Sequence, residues 1–593
     1  MALFIDVECY KNYFLFCAKN DKTSRVTKIP MHEGCELKKD LLEKIMMNET
    51  TISFNGNKYD LLIIGGALKG WSCEKLHKLS NEIIQSDKNT SQILSDNGLR
   101  VPKYNHIDLI EVSIGQASLK LYGGRLHTKK LQDLPIDPQS LISPEQREIL
   151  SKYCENDLEL TELLYNKLKP QIDLRTEMKS KYGMDLRSKS DAQIAETIIK
   201  SELSSTTNGI YKPKKYEEGF TFNYNNPNII DFKSDELASV YNNLLQEKFT
   251  LSDSGSVKMP EWLSKQKITI GDTVYKMGIG GLHSCEKKQF KEEGNGYLLS
   301  DYDVTSFYPS IILQQKLYPE SMGEEFLALY QSIVDRRIAA KKNKDDVEAN
   351  TLKIVLNGSY GKFGSKYSAL YSPELLLQTT LTGQLSLLML IEMLEENKIK
   401  VISANTDGIV TYYRASDKGL LNKLLENWMD KTTYNLEETN YSVIASRDVN
   451  NYLAVKKEDG KTKGKGCFAD PSLSKNPDGQ IIFESVIARI ATGKLIRKTI
   501  RECKDITKFV TVRTVNGGAM FQGNYLGKAI RFYHSSAPEL QNEIITYAKN
   551  GNKVPNSLGC RPLMDLPDEF PTDIDYKYYI ATANELKEGV GYA

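Results

Sequence analysis

No CxxC pair occurs among the nine cysteines, and their spacing is irregular. That excludes a zinc ribbon and a disulfide-framed fold and points to a reducing interior. Net charge is almost lacking: 78 Lys and Arg stand against 77 Asp and Glu, leaving +1. A uniformly basic protein is excluded, but basic patches balanced by acidic clusters give the same sum, so a nucleic-acid partner stays open. The opening residues, MALFIDVECYKNYFLFCAKN, lack a basic n-region, and Asp6 and Glu8 break their apolar run. They do not read as a signal peptide. No run approaches the roughly eighteen apolar residues expected of a membrane helix. An internal repeat and a low-complexity tract are also lacking. These absences lead to the expectation of a soluble, cytoplasmic protein with no membrane partner.

What is present is a 593-residue chain, 40% apolar and 26% charged, too long for one ordinary core. Residues 1–65 alternate short apolar runs with turn signals and read as strands. SPEQREILSKYCENDLELTELLYNKL, 143–168, reads as a helix: Ser143 and Gln146 have capping-box spacing and Pro144 suits the first helical position. Residues 205–295 read as loops and short strands. Strand, helix and hairpin signals then alternate from 297 to about 490, and a mixed segment follows.

Three acidic segments stand near the front. FIDVECY places Asp6 and Glu8 two apart on a strand, so both carboxylates share a face with Phe4. A solvated edge strand is the bland explanation. FNGNKYD supplies Asn55, Tyr59 and Asp60, and YCENDLELT supplies Tyr153 and Asp157 one helical turn apart. Four carboxylates converging at the end of a sheet can hold two divalent ions for phosphodiester hydrolysis, with a Tyr orienting the water. This order resembles the three motifs of the DEDDy 3′–5′ exonucleases that proofread for family-B DNA polymerases. The resemblance implies metal-site roles for Asp6, Glu8, Asp60 and Asp157, water positioning by Tyr153, and a primer-end contact by Asn55. Lys130 stands where that family often has a hydroxyl, which leaves a contact to single strand open.

The centre of the chain carries three further motifs. YLLSDYDVTSFYPSII reads as a strand over 297–304 and a helix from near Pro309, with Thr305 or Ser306 as its cap. Asp303 falls at the strand end and Tyr308 on the turn beside it; Asp301 reads as a solvated neighbour. In TLKIVLNGSYGKFG, Lys353, Asn357 and Tyr360 share one helical face. In VISANTDGIVTYY, Asp407 sits at the tip of a hairpin. These strings resemble motifs A, B and C of family-B DNA polymerases, with Phe307, Gly358, Ser403, Asn405 and Gly408 in place of commoner residues. Gly358 is expected to give a base pair more room.

What the resemblance implies is an RNase H-like exonuclease domain followed by a right-hand polymerase, α/β and α+β in class. The expected domains are 1–185 (exonuclease), 186–320 (linker and first part of palm), 321–366 (fingers), 367–490 (palm) and 491–593 (thumb). Asp303 and Asp407 are the expected catalytic carboxylates. With the Val304 carbonyl they hold Mg²⁺, two ions per active site, with Mn²⁺ as a possible substitute. Lys353 and either Arg337 or its competitor Arg336 are expected on the triphosphate, with Asn357, Tyr360 and Tyr308 on the nucleotide. Gly280 and Gly281, in MGIGGLHS, are expected to let the backbone approach DNA. Tyr452 matches a K-x-Y element at the primer terminus, where Asn450 replaces the Lys. Lys528 and Arg531 are expected on the duplex backbone, with a solvated helix as the alternative there.

The expected function is primer extension on a DNA template with proofreading, in a phage or mobile element, by a monomer in the host cytoplasm. Expected partners are primer-template DNA, dNTPs and accessory proteins such as a single-strand binding protein, helicase or primase. The terminal protein of protein-primed relatives stays open, because only 50 residues separate 303 from 353 and 44 separate 361 from 405. Those intervals carry two insertions in the protein-primed group. The alternative is a 3′–5′ exonuclease whose polymerase half only holds DNA, a reading that Asn405 favours. In the polymerase reading Asn405 modifies metal affinity, so that Asn405→Asp lowers the Mg²⁺ required.

Overall fold

The structure is a computed structural model that describes residues 2–592. The chain forms two compact units, one of Met1–Ser190, Pro471–Ile481 and Ile500–Tyr579, the other of Asp191–Asp470, Ile482–Thr499 and Ile580–Ala593. The class is mixed α/β and α+β in several domains, as the sequence patterns predict.

The first unit is built on a five-stranded sheet in the order Val26–His32, Tyr13–Asn20, Ala2–Tyr10, Thr50–Ser53, His106–Asp108. The first three strands are antiparallel, and the last two run parallel to Ala2–Tyr10. The strand carrying Asp6 and Glu8 is therefore central, and the edge-strand explanation fails. Apolar side chains cover it on both faces: Leu3, Ile5 and Val7 pack in one cluster, Phe4 and Tyr10 in another.

The capping box at Ser143 and Gln146 forms as expected, but the helix runs on to Tyr182 rather than ending near 168. Leu168, Ile172, Arg175 and Met178 lie buried at helical spacing and carry it past Pro170, until Gly183 stops it at φ 68°. A second sheet pairs Thr511–Phe521 with Asn524–His534. Here two expectations fail. Residues 524–534 are a strand, not a helix, and Arg531 is fully buried. Its guanidinium donates to the carbonyls of Leu563 (2.7 Å), Thr128 (2.9 Å) and Met564 (3.3 Å), so it seams three segments together and faces no duplex. Lys528 is exposed.

The second unit has a ten-stranded sheet among the described residues, with Tyr297–Val304 between Gly408–Arg414 and Leu436–Asp448. Behind it lies Pro373–Glu396, which is long and apolar enough by length and composition to cross a membrane. It holds no unbroken apolar run of that length and meets that description only by its average composition. Its most apolar window is 89% buried, and its polar side chains are used internally: Gln378 donates to the Asn225 carbonyl and Gln384 to Gly278. It is the core helix of this unit.

Three local expectations also change. The stretch 205–295 contains a helix, Asp235–Gln246, whose Leu237, Val240 and Leu244 pack inward. The helix after Val304 starts at Phe307; Ser306 holds the cap position at φ 48° without a side-chain cap bond. Gly358 serves packing rather than a base pair. A Cβ there would lie 2.7 Å from the Asp191 carbonyl oxygen and 3.0 Å from the Ala195 Cβ, where Asp346–Phe363 meets Asp191–Thr207. Gly358→Ser is expected to lower stability by about 1–3 kcal/mol, read as an earlier urea midpoint; an unchanged midpoint would refute this packing role.

Candidate functional site

The first acidic centre lies in the first unit. Asp6 and Glu8 come from the central strand and Asp60 from the start of the helix Asp60–Leu68. Tyr153 and Asp157 come from one face of the long helix. Asn55 sits in a left-handed turn at φ 67°, where its N–H donates to Asp108 Oδ1 at 2.8 Å. Burial raises Asp6 to about 6, opposed by a thiol hydrogen bond from Cys154 and the charge of Lys120. Burial, then neighbouring Asp6, pushes both Glu8 and Asp60 well above the usual carboxylate range. Asp60 Oδ1 is buried and has no hydrogen-bond partner. Donor atoms of Asp6, Glu8 and Cys154 lie within 4.8 Å of one another. Crowded carboxylates with an unsatisfied oxygen suit divalent cations, whose charge offsets the repulsion.

Three residues of this centre escape sequence reasoning. Lys120 pairs with Asp157 and lies 4.2 Å over the Tyr153 ring; burial lowers its ammonium to about 8 despite Asp6 and Glu8. Asp108 accepts N–H bonds from Asn55, Asn57 and Ile110 and so fixes the turn. Cys154 donates to Asp6 Oδ2 at 3.3 Å. None belongs to a spacing pattern, and only the fold brings them to the strand end.

The second centre lies in the second unit. Asp303 ends the strand Tyr297–Val304, and Asp407 lies between Lys400–Asn405 and Gly408–Arg414. The Val304 N–H donates to the Asp407 carbonyl at 2.7 Å, and Asp303 pairs with Gly408. Gly408 is required there, since a Cβ would lie 2.2 Å from Asp303 Oδ1. Thr406 makes the turn at φ 63°, and its N–H donates to the Leu282 carbonyl at 2.8 Å. Gly281 lacks a side chain because Thr406 occupies that space, whereas Gly280 faces open space. Burial, then Asp301, raises Asp303 to about 6; burial also raises Asp407. Two carboxylates at adjacent strand ends, one over a glycine cradle and with Lys463 3.7 Å from its Oδ2, suit the expected divalent ions.

The expected nucleotide residues gather nearby. The Tyr308 and Tyr360 rings stack at 4.1 Å and 11°, and the Tyr308 hydroxyl donates to the Gly280 carbonyl at 3.1 Å. Lys353 and Asn357 are exposed on the helical face that Tyr360 shares. Arg336 is held by Glu202 and Glu348. Arg337 donates to the Ser306 hydroxyl at 3.3 Å, and its buried Nε lacks a partner. That favours Arg337 over Arg336 as the phosphate ligand.

Tyr452 lies beside the acidic pair; burial raises its phenol, and Asp303 and Asp407 add to that against Lys463. Asn450 is exposed on the turn before it. Asp301 is not solvated: it is 5% exposed, and both Tyr441 and Lys463 bind its Oδ2.

Asn405 is committed to the main chain. Its amide donates to the Val449 carbonyl at 2.9 Å, while its carbonyl accepts from the Thr406 hydroxyl at 3.2 Å. An Asp cannot supply that donor, so Asn405→Asp removes one tie of the hairpin tip to the main chain.

No family model matches the chain. DNA polymerase 1 of Sulfolobus acidocaldarius is 27% identical over 199 residues, covering 32% of this chain and 21% of that protein. DNA polymerase 1 of Aeropyrum pernix is 26% identical over 208 residues, covering 29% and 21%. The matched part thus spans about a fifth of each relative. The solved family B DNA polymerase from Pyrobaculum calidifontis aligns over 99% of this chain and 77% of its own, at 14% identity and a TM-score of 0.43. That likeness is too loose to bear on function.

Asn405→Asp sets a carboxylate against a carbonyl oxygen, a loss of about 1–3 kcal/mol. The melting temperature is expected to fall; an unchanged melting temperature would contradict this geometry.

Proposed function

We propose that the chain is a family-B-type DNA-directed DNA polymerase with its own 3′–5′ proofreading exonuclease. The observation that carries the reading is the second centre. Asp303 and Asp407 are held together by one main-chain hydrogen bond, beside a stacked Tyr308–Tyr360 pair and an exposed face bearing Lys353 and Asn357. The partial matches to two DNA polymerases support it.

In this reading residues 1–185 form the exonuclease, 186–320 the linker and first part of the palm, and 321–366 the fingers. Residues 367–490 complete the palm and 491–593 form the thumb. Asp303, Asp407 and the Val304 carbonyl, and in the other centre Asp6, Glu8, Asp60 and Asp157, would hold Mg²⁺, which would supply charge neutralisation and an activated attacking oxygen. Lys353 and Arg337 neutralise and orient the triphosphate, Lys as a point charge and Arg as a fork. The primer 3′-hydroxyl attacks the α-phosphate, and pyrophosphate leaves. Tyr308, anchored to the Gly280 carbonyl and backed by Tyr360, lies beneath the incoming sugar and excludes a 2′-hydroxyl. In the exonuclease Tyr153 orients the water, and Lys120 holds Asp157 in place. Tyr452 and Lys528 contact DNA.

The short intervals after Asp303 and Gly361 favour extension of an ordinary primer over initiation on a terminal protein. A phage or mobile-element replication setting, in a host cytoplasm and with accessory proteins, belongs to the same reading. The nuclease-only alternative draws on Asn405; the bond of that amide to the Val449 carbonyl gives the residue a supporting part in the hairpin that is compatible with either reading.

Primer extension and primer degradation with Mg²⁺ test the reading directly. Asp6→Ala/Glu8→Ala should extend without degrading, and Asp407→Ala should degrade without extending. A wild type that degrades but never extends, with Mg²⁺ or Mn²⁺, would leave only the nuclease. Tyr308→Ala should raise ribonucleotide incorporation at least about tenfold; an unchanged sugar preference would remove Tyr308 from the role given to it.

A further inference from the structure

The run GKTKGKG, 460–466, has no part in the motifs, yet the fold carries it to the polymerase centre. Thr462–Gly464 pairs with Asn451–Lys456, Lys463 lying opposite Ala454, and the Lys465 N–H donates to the Tyr452 carbonyl at 2.9 Å. The glycines make this approach possible: a Cβ on Gly464 would lie 1.9 Å from the Phe468 carbonyl oxygen, and Gly466 takes φ 64° against the Asn450 carbonyl. Lys463 Nζ then lies 3.0 Å from Asp301 Oδ2 and 3.7 Å from Asp303 Oδ2.

Asp301 is an acid buried in the middle of a strand, and it is satisfied on one oxygen by two donors. The Tyr441 hydroxyl reaches Oδ2 at 2.5 Å and Lys463 reaches it at 3.0 Å. Buried unpaired charge is costly, so Asp301 fixes Lys463 firmly. The ammonium has three donors and spends one on Asp301. Its remaining donors lie between the Tyr441 hydroxyl and the Asp303 carboxylate, whose opposite oxygen lies over Gly408. Asp303 is thereby held from two sides, by a cation at Oδ2 and by the glycine cradle at Oδ1.

We propose that Lys463, anchored by Asp301 and Tyr441, is a positioning residue that sets the orientation and charge of Asp303 for nucleotidyl transfer. This rests on the polymerase reading. Two consequences follow from the geometry. Removing the ammonium leaves Asp303 free to rotate, which slows the chemical step. It also strips a positive charge from beside the acidic pair, which tightens divalent-ion binding there.

The experiment uses the full chain in the Asp6→Ala/Glu8→Ala background, so that only the second centre is read. Single-turnover extension gives the chemical rate, and Mn²⁺ binding by electron paramagnetic resonance gives ion affinity without turnover. Lys463→Met is expected to lose about tenfold or more in rate while binding Mn²⁺ about fivefold more tightly. Asp301→Asn/Lys463→Met removes the buried acid together with its partner, so it decides the matter even where the single variant fails to fold. The double variant should remain slow. If its rate returns to that of the background protein, Lys463 is only a counter-ion for Asp301 and the proposal is overturned. Mn²⁺ affinity of Lys463→Met within twofold of the background overturns it equally, whereas the double variant, which loses one charge of each sign beside Asp303, is read by its rate alone. A background protein that binds Mn²⁺ but does not extend primers sinks the polymerase reading instead, and the affinity comparison still judges the placement of Lys463.

Discussion

The hydrogen bond from the Val304 amide to the Asp407 carbonyl, 2.7 Å long, places two carboxylates at adjoining strand ends. Much of the second unit can be understood as what that juxtaposition requires. Burial denies them water, and the charge of Asp301, then more weakly that of Asp407, adds to this, so Asp303 is driven up to about 6. The backbone supplies the rigidity that opposes the repulsion. Thr406 holds a left-handed turn tied to Leu282, and Asn405 is tied to Val449, so the hairpin tip is fixed from both flanks.

The first centre meets the same constraint by different means. Its acids come from a central strand, a helix start and the middle of a long helix, so no single turn positions them. Here side chains moderate the repulsion: Lys120 lies among Asp157, Asp6 and Glu8, and the Cys154 thiol donates to Asp6. Lys120 in one centre and Lys463 in the other are half-hidden cations beside acidic groups. Electrostatic relief of this kind keeps an acid cluster foldable while leaving oxygens available to an ion.

Glycines set how closely these parts approach. Gly408 lies under Asp303, Gly281 under Thr406, and Gly464 against Phe468. In each place a Cβ would collide with a residue of the centre or its support. Gly358 teaches the opposite lesson, since its missing side chain serves a helix contact at Asp191 and Ala195. A motif position can thus be occupied for reasons unrelated to the motif's chemistry.

Local pattern made much of both centres legible. Period-two strands, a capping box and a tight hairpin are short-range features, so the sequence by itself determined the strand Tyr297–Val304, the helix start at Ser143 and the hairpin bearing Asp407. It also determined which acids stand at their ends. Only tertiary structure decided what each side chain faces. Arg531 looked like a phosphate contact and is buried against three carbonyls; Asp301 looked solvated and is a buried anchor. Lys120 and Lys463 carry no signature, because an isolated lysine has no period and no partner within reach along the chain. Their roles arise from pairings 37 and 162 residues apart, and contacts of that separation are set by packing, not by spacing.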